Sequence, residues 1–391
     1  MDEHTEERRP LRILHVLGSL DFKTGGPLRT TVELAEQTAK LGLRHEILGF
    51  RCDQTAEIDG KAAIVNSVRQ SAIRSLGYSR DVSTWLEDNI SRFDGAILHT
   101  SWLNITYQAA RVFTKYRKPY VYFPHGMLDV WCVYRQGWLK AAKKLLYWKV
   151  IEERISDNAA AIFFTTEREK VLSAKALRIR NERKWVVPYA VSPERRGCGL
   201  EVEELQGRAA KKYVLFLGRI HPKKNCEFLI RAWLMAQSGS EEYSLVLAGP
   251  ADAEYLAELK ELVRMKGGRT VEFVDAVFGE EKRRLLANAS WFVLPSLQEN
   301  FGVAVLEAIL AGVPVAISDQ VYIGDLLHPD SVILPLEMDK WRKFFENAIY
   351  DEGLRARIIE RDRKEVMPRF DIGVVAQQYA RILCEIFAPR R

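Results

Sequence analysis

Two glutamates eight residues apart, Glu299 and Glu307, have the types and spacing that most directly suggest chemistry. They follow the apolar run Trp291–Leu294, and Gly302 lies between them where a helix is expected to begin. Free backbone N–H groups at a helix start bind anions, and a glycine there lets a phosphate or sugar approach closely. Carboxylates beside such a site suit the hydroxyl groups of a ribose or a sugar ring. Each glutamate alone is more simply a helix cap or a solvated side chain, but their joint placement favours a ligand site.

Two cations follow another predicted strand of the same half of the chain, Tyr213–Gly218. Arg219 comes directly after this strand, and Lys224 precedes a helix expected to begin at about Asn225. A guanidinium and an ammonium at one site suit a diphosphate, whose charge grows when it departs as a leaving group. The alternative is a pair of surface cations, which fits Lys223 better than Arg219, since we expect Arg219 to be buried.

The first half of the chain contains weaker candidates. Gly25 and Gly26 lie between its first strand and first helix, where they permit close backbone approach to a ligand, although a plain tight turn is equally expected. They do not form the GxGxxG spacing of a dinucleotide site. His125 follows a strand directly and precedes a glycine, so a catalytic and a structural role are equally expected. His99, which ends the predicted strand Ala96–His99, is a weaker candidate still.

The segment Arg135–Arg154 has six basic and two acidic residues, interleaved with tryptophans, leucines and a tyrosine. Basic helices of this kind lie on anionic membranes. A helix packed on the core with a solvated basic face explains the same residues, and the sequence slightly favours this second interpretation.

These candidates must be positioned by elements that alternate between short apolar runs and helical stretches along the whole chain. The strands predicted in the first half are Arg12–Gly18, Glu46–Phe50, Ala96–His99, Tyr120–Phe123, Ala161–Thr165 and Lys184–Val187. Those predicted in the second half are Tyr213–Gly218, Ser244–Ala248, Val271–Val274, Trp291–Leu294 and Val315–Ser318. Such alternation predicts parallel sheets covered by helices on both faces.

The alternation breaks over residues 193–211, where charge, proline and glycine predict a linker. We therefore expect an α/β protein of two doubly wound, Rossmann-like domains facing across a cleft. Residues 1–192 would form the N-terminal domain and residues 212–370 the C-terminal domain. Residues 371–391 would form one more amphipathic helix. In such sheets ligands bind beyond the carboxyl ends of the strands, where the candidate residues lie.

Composition excludes several classes of protein. The 391 residues are 47% hydrophobic and 28% charged, as in ordinary globular proteins of two or three domains. The charged N-terminus is not a signal peptide, and no run of about 18 apolar residues predicts a spanning helix. The five cysteines are scattered, which favours reduced thiols in a cytosol over a zinc site.

The net charge of +6 is unevenly distributed. Residues 1–192 carry 30 basic and 22 acidic side chains, whereas residues 193–391 carry 28 and 30. This mild excess is accompanied by no nucleic-acid-binding motif, so we expect no nucleic-acid partner.

Taken together, these motifs resemble the retaining, nucleotide-sugar-dependent glycosyltransferases of the GT-B fold, family 4 or "group 1". The resemblance is close over Tyr213–Ser318, where GRIHPKKN is similar to the family's donor-phosphate segment and ENFGVAVLEAILAGVPVAISD to its Glu-x7-Glu region. The first half is similar more loosely, through the double glycine, HGML and the basic helix after it. One departure is Val187–Ala190, which reads Val-Pro-Tyr-Ala where Pro-Asn-Gly is usual.

The resemblance implies four catalytic residues. Arg219 and Lys224 would stabilise the nucleoside diphosphate as it leaves. Glu299 would hold the donor sugar, and His125 would lie near the reacting centre. Members of the family are thought to transfer on one face of the sugar, with the leaving phosphate taking the acceptor proton. We therefore expect no metal and no cofactor other than the nucleotide-sugar co-substrate.

The resemblance also implies that residues 1–192 form the acceptor-side domain and residues 212–370 the nucleotide-sugar-binding domain. The helix of residues 371–391 would cross back to the N-terminal domain. The resemblance further implies a donor site. Glu307 would hold the ribose hydroxyls, and the backbone of residues 300–302 would help to hold the sugar. The donor-binding residues would be Gly25, Gly26, Arg219, Lys224, Asn300, Phe301, Gly302 and Glu307.

The expected function is transfer of a sugar from a nucleotide-diphosphate sugar to a hydroxyl of a glycan or lipid-linked glycan, in cell-surface polysaccharide or glycolipid synthesis. The protein would be cytoplasmic, with peripheral contact of residues 135–154 on an anionic inner membrane face. Two alternatives are a nucleotide-sugar epimerase of the same fold and a non-catalytic nucleotide-sugar-binding protein.

Overall fold

The structure, a computed structural model, describes residues 9–21, 26–50, 63–68, 79–135, 137–192, 212–236 and 242–388. The chain divides into unit 1, Met1–Tyr189 with Ile372–Arg391, and unit 2, Ala190–Asp371. Gly25 and the predicted linker, residues 193–211, lie outside the described residues.

Unit 1 contains a seven-stranded parallel sheet with the order β3-β2-β1-β4-β5-β6-β7. Its strands are β1 Arg12–Leu17, β2 Arg44–Phe50, β3 Ala63–Val68, β4 Gly95–His99, β5 Tyr120–Phe123, β6 Ala161–Phe164 and β7 Lys184–Val186. The central strands are buried along their length, as expected when helices cover both faces.

The helices of unit 1 connect these strands. They are α1 Gly26–Ala39, α2 Arg80–Asn89, α3 Asn104–Lys115, α4 Val130–Tyr134, α5 Trp138–Tyr147, α6 Glu153–Asn158 and α7 Glu167–Ala176. A π-helical segment, Trp148–Glu152, joins α5 to α6.

Unit 2 contains a six-stranded parallel sheet with the order β10-β9-β8-β11-β12-β13. Its strands are β8 Lys212–Leu217, β9 Tyr243–Ala248, β10 Val271–Val274, β11 Trp291–Leu294, β12 Val315–Ser318 and β13 Val332–Leu334. Its helices are α8 Cys226–Ala236, α9 Ala253–Met265, α10 Gly279–Ala287, α11 Val303–Leu310, α12 Met338–Asn347 and α13 Glu352–Arg361.

The last helix, α14 Ile372–Phe387, belongs to unit 1, where it packs against α1. A glycine in β4 makes room for it, because a Cβ at Gly95 would lie 2.4 Å from the ring of Phe387. The end of the chain is thereby anchored on the first sheet. In the described ranges, no helix combines the length and apolar character that crossing a bilayer requires.

Candidate functional site

In unit 2 the strand order reverses between β8 and β11, and the loops after those two strands carry the predicted donor residues. Arg219 and Lys224 follow β8, and Glu299 follows β11. Ligands bind at such reversals because the neighbouring connections leave toward opposite faces of the sheet and open a crevice.

The structure brings Lys224 and Glu299 together as an ion pair between Nζ and Oε2. The side chains are 20% and 21% exposed, so the pair is reachable from solvent. Burial, with the nearby cations Lys223 and Arg219, lowers the pKa of Lys224 to about 8, and the Glu299 carboxylate is its counter-charge. The predicted phosphate-binding cation and the predicted sugar-binding carboxylate are therefore each other's counter-charge.

Backbone hydrogen bonds fix the loop that carries Glu299. Its N–H donates to Gln320 O at 3.0 Å, and its carbonyl accepts from Tyr322 N at 3.0 Å. Leu297 N donates to Lys223 O at 2.9 Å, which ties this loop to the turn after β8. The two loops that carry the pair are thus held by each other's backbone as well as by the side chains.

Gly302 caps α11 with a left-handed backbone, φ +83°. A Cβ there would approach Val305, Val321 and Glu299 to 3.3–3.4 Å in addition to the backbone strain, so glycine suits the position. The expected helix start is confirmed, and Gly302 at this start lies close to the Glu299 side chain.

Glu307 lies on α11 and pairs with Lys282 of α10, Nζ to Oε2, at 2.6 Å. Its side chain is only 11% exposed, so it is not the solvated residue that one interpretation of the sequence allowed. Lys282 escaped the sequence analysis because a lysine within a charged helix gives no signal before the contact is known.

Arg219 corrects an expectation, because it is exposed rather than buried. Within the described residues it makes no hydrogen bond or ion pair. Arg219 follows the end of β8, and its exposure there depends on what packs around it in the folded chain, which the local sequence does not indicate. An exposed guanidinium beside Lys223 and Lys224 leaves a positive field suited to an anion.

Two neighbours of Glu299 have different surroundings. The Phe301 ring is buried and meets Phe370 edge to face at 6.0 Å, so only its backbone can contact a ligand. Gln298 is 2% exposed, and both polar atoms of its amide lack a partner in the described part of the chain. Since buried polar groups nearly always have partners, Gln298 is a candidate ligand contact that the sequence analysis missed.

In unit 1 the strand order reverses between β1 and β4, and the backbone at this edge is strained. Three residues other than glycine have a left-handed backbone: Thr100 at φ 72°, Trp102 at φ 66° and His125 at φ 52°. Such conformations cost about 1–3 kcal/mol each and cluster at functional sites. This edge is therefore the counterpart in unit 1 of the site in unit 2.

His125 is held on both ring nitrogens. Its Nε2 lies 2.8 Å from His99 Nδ1, and its Nδ1 lies 2.6 Å from the Tyr189 hydroxyl. Phe123 stacks on the ring with centroids 3.9 Å apart, and burial lowers the pKa of His125 to about 3. The imidazole is therefore neutral, and neither nitrogen is open to take a proton. Its catalytic role stays a prediction, as does a ligand role for Gly26, the first residue of α1.

Helix α5 does not pack as the favoured interpretation of the sequence expected. Of its residues only Ala141 is buried, whereas Trp138 is 78%, Leu139 59% and Leu146 67% exposed. The interpretation of a core-packed helix is wrong for α5, because Trp138, Leu139 and Leu146 point to solvent among exposed lysines. At its end, Tyr147 contacts the ring of Trp102, with centroids 6.1 Å apart. The core contacts of this segment come from the π-helical turn, through Trp148.

Metal-ligand clusters are not found in the part of the chain that the structure describes: no three His, Cys, Asp or Glu side chains are suitably grouped. Metal independence remains a prediction. Among the cysteines that the structure describes, Cys132, Cys226 and Cys384 take part in no disulfide.

Two family models match the chain, one on each unit. "Glycosyl transferase 4-like domain" matches residues 25–190, and "Glycosyl transferases group 1" matches residues 211–340. The chain belongs to the group 1 glycosyltransferases. The resemblance carried by its phosphate-site and Glu-x7-Glu segments is thereby confirmed.

Curated relatives match this glycosyltransferase over part of their length. A protein of Methanocaldococcus jannaschii, named an uncharacterised glycosyltransferase, is 27% identical over 190 residues, 47% of this chain and 46% of that protein. The O-antigen chain mannosyltransferase B of Escherichia coli is 28% identical over 147 residues, 37% of this chain and 38% of that one. The match thus spans less than half the length of either relative.

Solved structures share the whole fold of this glycosyltransferase. The Anabaena HepE protein, crystallised with UDP and glucose, aligns with a TM-score of 0.79 at 18% identity, covering 96% of this chain and all of that one. The two Rossmann-like units are those of the GT-B class, as the sequence predicted.

Proposed function

We propose that this protein transfers a sugar, with retention of anomeric configuration, from a nucleotide-diphosphate sugar to a hydroxyl of a glycan or lipid-linked glycan. The observation that carries the proposal is the juxtaposition of Arg219 and Lys224 with Glu299 at the strand reversal of unit 2. Cations suit the diphosphate, and carboxylates suit the hydroxyl groups of the sugar and the ribose. The UDP and glucose bound to HepE, which has the same fold, support a nucleotide-sugar donor.

Donor binding would exchange the partners of the ion pair. A diphosphate would replace Glu299 as the counter-charge of Lys224, and Arg219, exposed and without a partner in the described chain, would add a second contact. Glu299, released, would accept hydrogen bonds from sugar hydroxyls. The exchange leaves no charge unpaired beside Lys224, because the diphosphate takes the place of the carboxylate.

In the transfer, the bond from the anomeric carbon to the phosphate oxygen breaks while the acceptor oxygen bonds to that carbon on the same face. The departing phosphate oxygen takes the acceptor proton, so no further base is needed. Lys224 and Arg219 would hold the charge that develops on the diphosphate, which is the transition-state interaction with the most to contribute. Under this proposal Lys224 and Arg219 supply the positive charge that a metal ion supplies in metal-dependent transfer, and no cofactor takes part.

Glu307 would receive the ribose hydroxyls, with Lys282 orienting its carboxylate through the 2.6 Å contact. A carboxylate has about four acceptor positions, so the contact with Lys282 is compatible with hydrogen bonds from two neighbouring hydroxyls.

We further propose that the protein works at the cytoplasmic face of an anionic membrane, in cell-surface polysaccharide or glycolipid synthesis. The α5 surface, defined by Trp138, Leu139, Leu146, Lys140 and Lys143, presents apolar side chains among lysines to solvent. Such a surface suits insertion at the headgroup level of an anionic bilayer. The names of two similar proteins, an O-antigen chain mannosyltransferase and WaaG of lipopolysaccharide biosynthesis, support this setting.

Calorimetry with a panel of nucleotide sugars tests the donor site. One nucleotide sugar of the panel is expected to bind wild type. Glu307→Ala and Arg219→Ala should each weaken its binding by about tenfold, the value of one charge-assisted hydrogen bond. Glu261→Ala, an exposed glutamate of α9, is the matched control. Unchanged affinity in both site variants would refute the donor site.

Incubation of the protein with donor alone and with acceptor extract separates the alternatives. An isomerised donor sugar, seen by NMR without acceptor, would indicate an epimerase. Binding without any transferred product would indicate a non-catalytic binding protein.

A further inference from the structure

Four histidines lie in a row across the sheet of unit 1. His45 lies in β2, His15 in β1 and His99 at the end of β4, while His125 follows β5. These four strands are consecutive neighbours in the sheet order. We call these four residues the histidine chain.

The strand register places the histidine chain on one face. His45 pairs with Ile13, two residues before His15. The same step of two residues relates His15 to His99 and His99 to His125. Because side chains alternate with a period of two, each step keeps the face and moves one pleat toward the carboxyl edge. The row thus runs diagonally from the amino-terminal end of β2 to the candidate functional edge.

Hydrogen bonds join every neighbouring pair in the histidine chain, always from Nδ1 of one ring to Nε2 of the next. The distances are 2.9 Å for His45–His15, 3.0 Å for His15–His99 and 2.8 Å for His99–His125. Thr38 Oγ1 lies 2.8 Å from His45 Nε2 at one end, and the Tyr189 hydroxyl lies 2.6 Å from His125 Nδ1 at the other.

The rings are neutral because they are buried. His15, His45 and His99 are between 1% and 3% exposed. Burial lowers the pKa of His45 to about 4 and those of His15 and His99 well below the ordinary range. A neutral imidazole has one donor and one acceptor, so all bonds in the chain must point in one direction or all in the other.

Thr38 decides between the two directions. Its hydroxyl donates to Leu34 O at 2.6 Å, and a carbonyl can only accept. The Thr38 oxygen must then accept from His45 Nε2–H. Each following ring donates through Nε2 in the same way, and the Tyr189 hydroxyl donates to His125 Nδ1.

We propose that the histidine chain fixes the tautomer and ring orientation of His125, so that Thr38, His45, His15 and His99 are positioning residues for the transfer reaction. Tyr189, at the position where the family usually has Pro-Asn-Gly, supplies the donor that closes the chain. The kinetic part of this inference rests on the proposed function, whereas the tautomer part does not.

The backbone beside the ring is fixed as well. Glu169, fully buried, accepts from Gly126 N at 2.6 Å and from both the backbone N–H and the hydroxyl of Thr165. His125 is therefore fixed through its ring by the histidine chain and through its neighbouring peptide by Glu169. Such double restraint suits a group whose position, rather than whose proton, matters to the site.

The test is ¹⁵N NMR of protein labelled at its histidine rings, because the protonated and unprotonated nitrogens of a neutral imidazole resonate far apart. His125 is assigned by the signal lost in His125→Asn. Wild type is expected to show His125 protonated at Nε2.

Thr38→Val keeps the shape of the side chain but removes its hydroxyl. The opposite direction of hydrogen bonding along the histidine chain then becomes competitive, and the two His125 nitrogen signals move toward each other. Thr38→Ser, which keeps the hydroxyl, is the matched control and should match wild type.

Tyr189→Phe provides an independent check from the other end. Thr38 still accepts from His45 in this variant, so His45 should remain protonated at Nε2. Either unchanged His125 signals in Thr38→Val or a His45 protonated at Nδ1 in Tyr189→Phe would overturn the fixed direction.

Kinetics test the positioning role. Thr38→Val should lower kcat about fivefold, the value of one net hydrogen bond, and leave KM for the donor within about twofold. Thr38→Ser should restore kcat. A shifted tautomer with unchanged kcat would overturn the positioning role. If the tautomer shifts as expected but wild type transfers no sugar from any donor, the proposed function fails and the tautomer inference stands.

Discussion

The first six strands of unit 1 have the same order in their sheet as the six strands of unit 2. The side chains near the point where the order reverses, however, are of different kinds in the two units. In unit 1 the edge contains neutral rings whose nitrogens are all hydrogen-bonded, ending at His125. In unit 2 it contains charges paired with each other, Lys224 with Glu299 and Lys282 with Glu307. Buried neutral networks are stable only when every member is satisfied, which makes them rigid. An ion pair can exchange one anionic partner for another without leaving a charge unpaired, which suits a charged ligand. We therefore expect acid to lower the stability of unit 1, and the charge of the ligand to determine how strongly it binds to unit 2.

The largest expected effect falls on the exchangeable pair. Lys224→Ala should lower kcat/KM for sugar transfer by roughly 100- to 1000-fold, because one preorganised contact to the leaving group is lost. Lys223→Ala, which removes the adjacent cation, is the control and should cost less than about threefold. Comparable losses in the two variants would mean that net charge, and not the position of Lys224, matters.

Acid should loosen unit 1 before unit 2. The pKa of His45 is about 4 in the folded chain and near 6.5 when unfolded, so below pH 6.5 protons bind preferentially to the unfolded state. Its contribution to stability is present above pH 6.5 and is lost as the pH falls toward 4, by roughly 3 kcal/mol. Hydrogen-exchange mass spectrometry should show β1, β2 and β4 losing protection between pH 6.5 and 4.5 more than β8, β9 and β11. Equal losses would contradict the comparison.

Glu152, also in unit 1, should make stability depend on pH in the opposite direction to the histidines. Burial raises its pKa to about 7, while its two oxygens accept from Tyr122 OH and Trp102 N at 2.6 Å each. The folded state then holds the proton more tightly than the unfolded one, so stability falls by roughly 2–3 kcal/mol as the pH rises from 4.5 to 7. Since the buried histidines change stability in the other direction over the same range, the quantity to follow is a difference. The unfolding free energy of wild type minus that of Glu152→Gln, from urea titrations, should fall by roughly 2–3 kcal/mol between pH 4.5 and 7.

The neighbouring residue provides the control for that experiment. Glu153→Gln, whose carboxylate pairs with Lys149, should differ from wild type by an amount that stays constant between pH 4.5 and 7. A constant difference between wild type and Glu152→Gln as well would contradict the role of Glu152.

The smallest effect concerns the α5 surface. Each lysine near an anionic bilayer contributes about 1 kcal/mol, so Lys143→Gln should weaken binding to phosphatidylserine vesicles about fivefold in flotation assays. Lys260→Gln, an exposed lysine of α9, is the control. Lys144 is unsuitable, since its ammonium donates to Cys132 O at 2.6 Å. Equal flotation of wild type and Lys143→Gln, or none at all, would reject membrane contact.

The fold could largely be predicted because buried parallel strands are continuous apolar runs. All eleven predicted strands occur, within a residue or two at their ends. The strands β3 and β13 were missed, since β3 lies at an edge with polar Asn66 bonded to Glu46, and β13 has only three residues. The polar residues of β3 weaken its apolar signal, whereas β13 is apolar but too short to stand out.

The candidate site could be predicted only in part, because residue type and spacing do not give contacts. The sequence indicated Glu299 and Lys224 separately, but their pairing depends on which loops the sheet order makes neighbours. The histidine chain depends on strand register, which sequence alone does not supply, so only its last two members were noticed. The exposure of Arg219 and of α5 depends on what covers each surface, and no local pattern determines that.

The central claim is tested most directly by release of nucleoside diphosphate from a nucleotide sugar in the presence of a lipid-linked glycan extract. Wild type should release it together with a glycosylated product, and Lys224→Ala should do so at least about 100-fold more slowly. Release at the same rate in both proteins, or no release from any nucleotide sugar by wild type, would contradict the account.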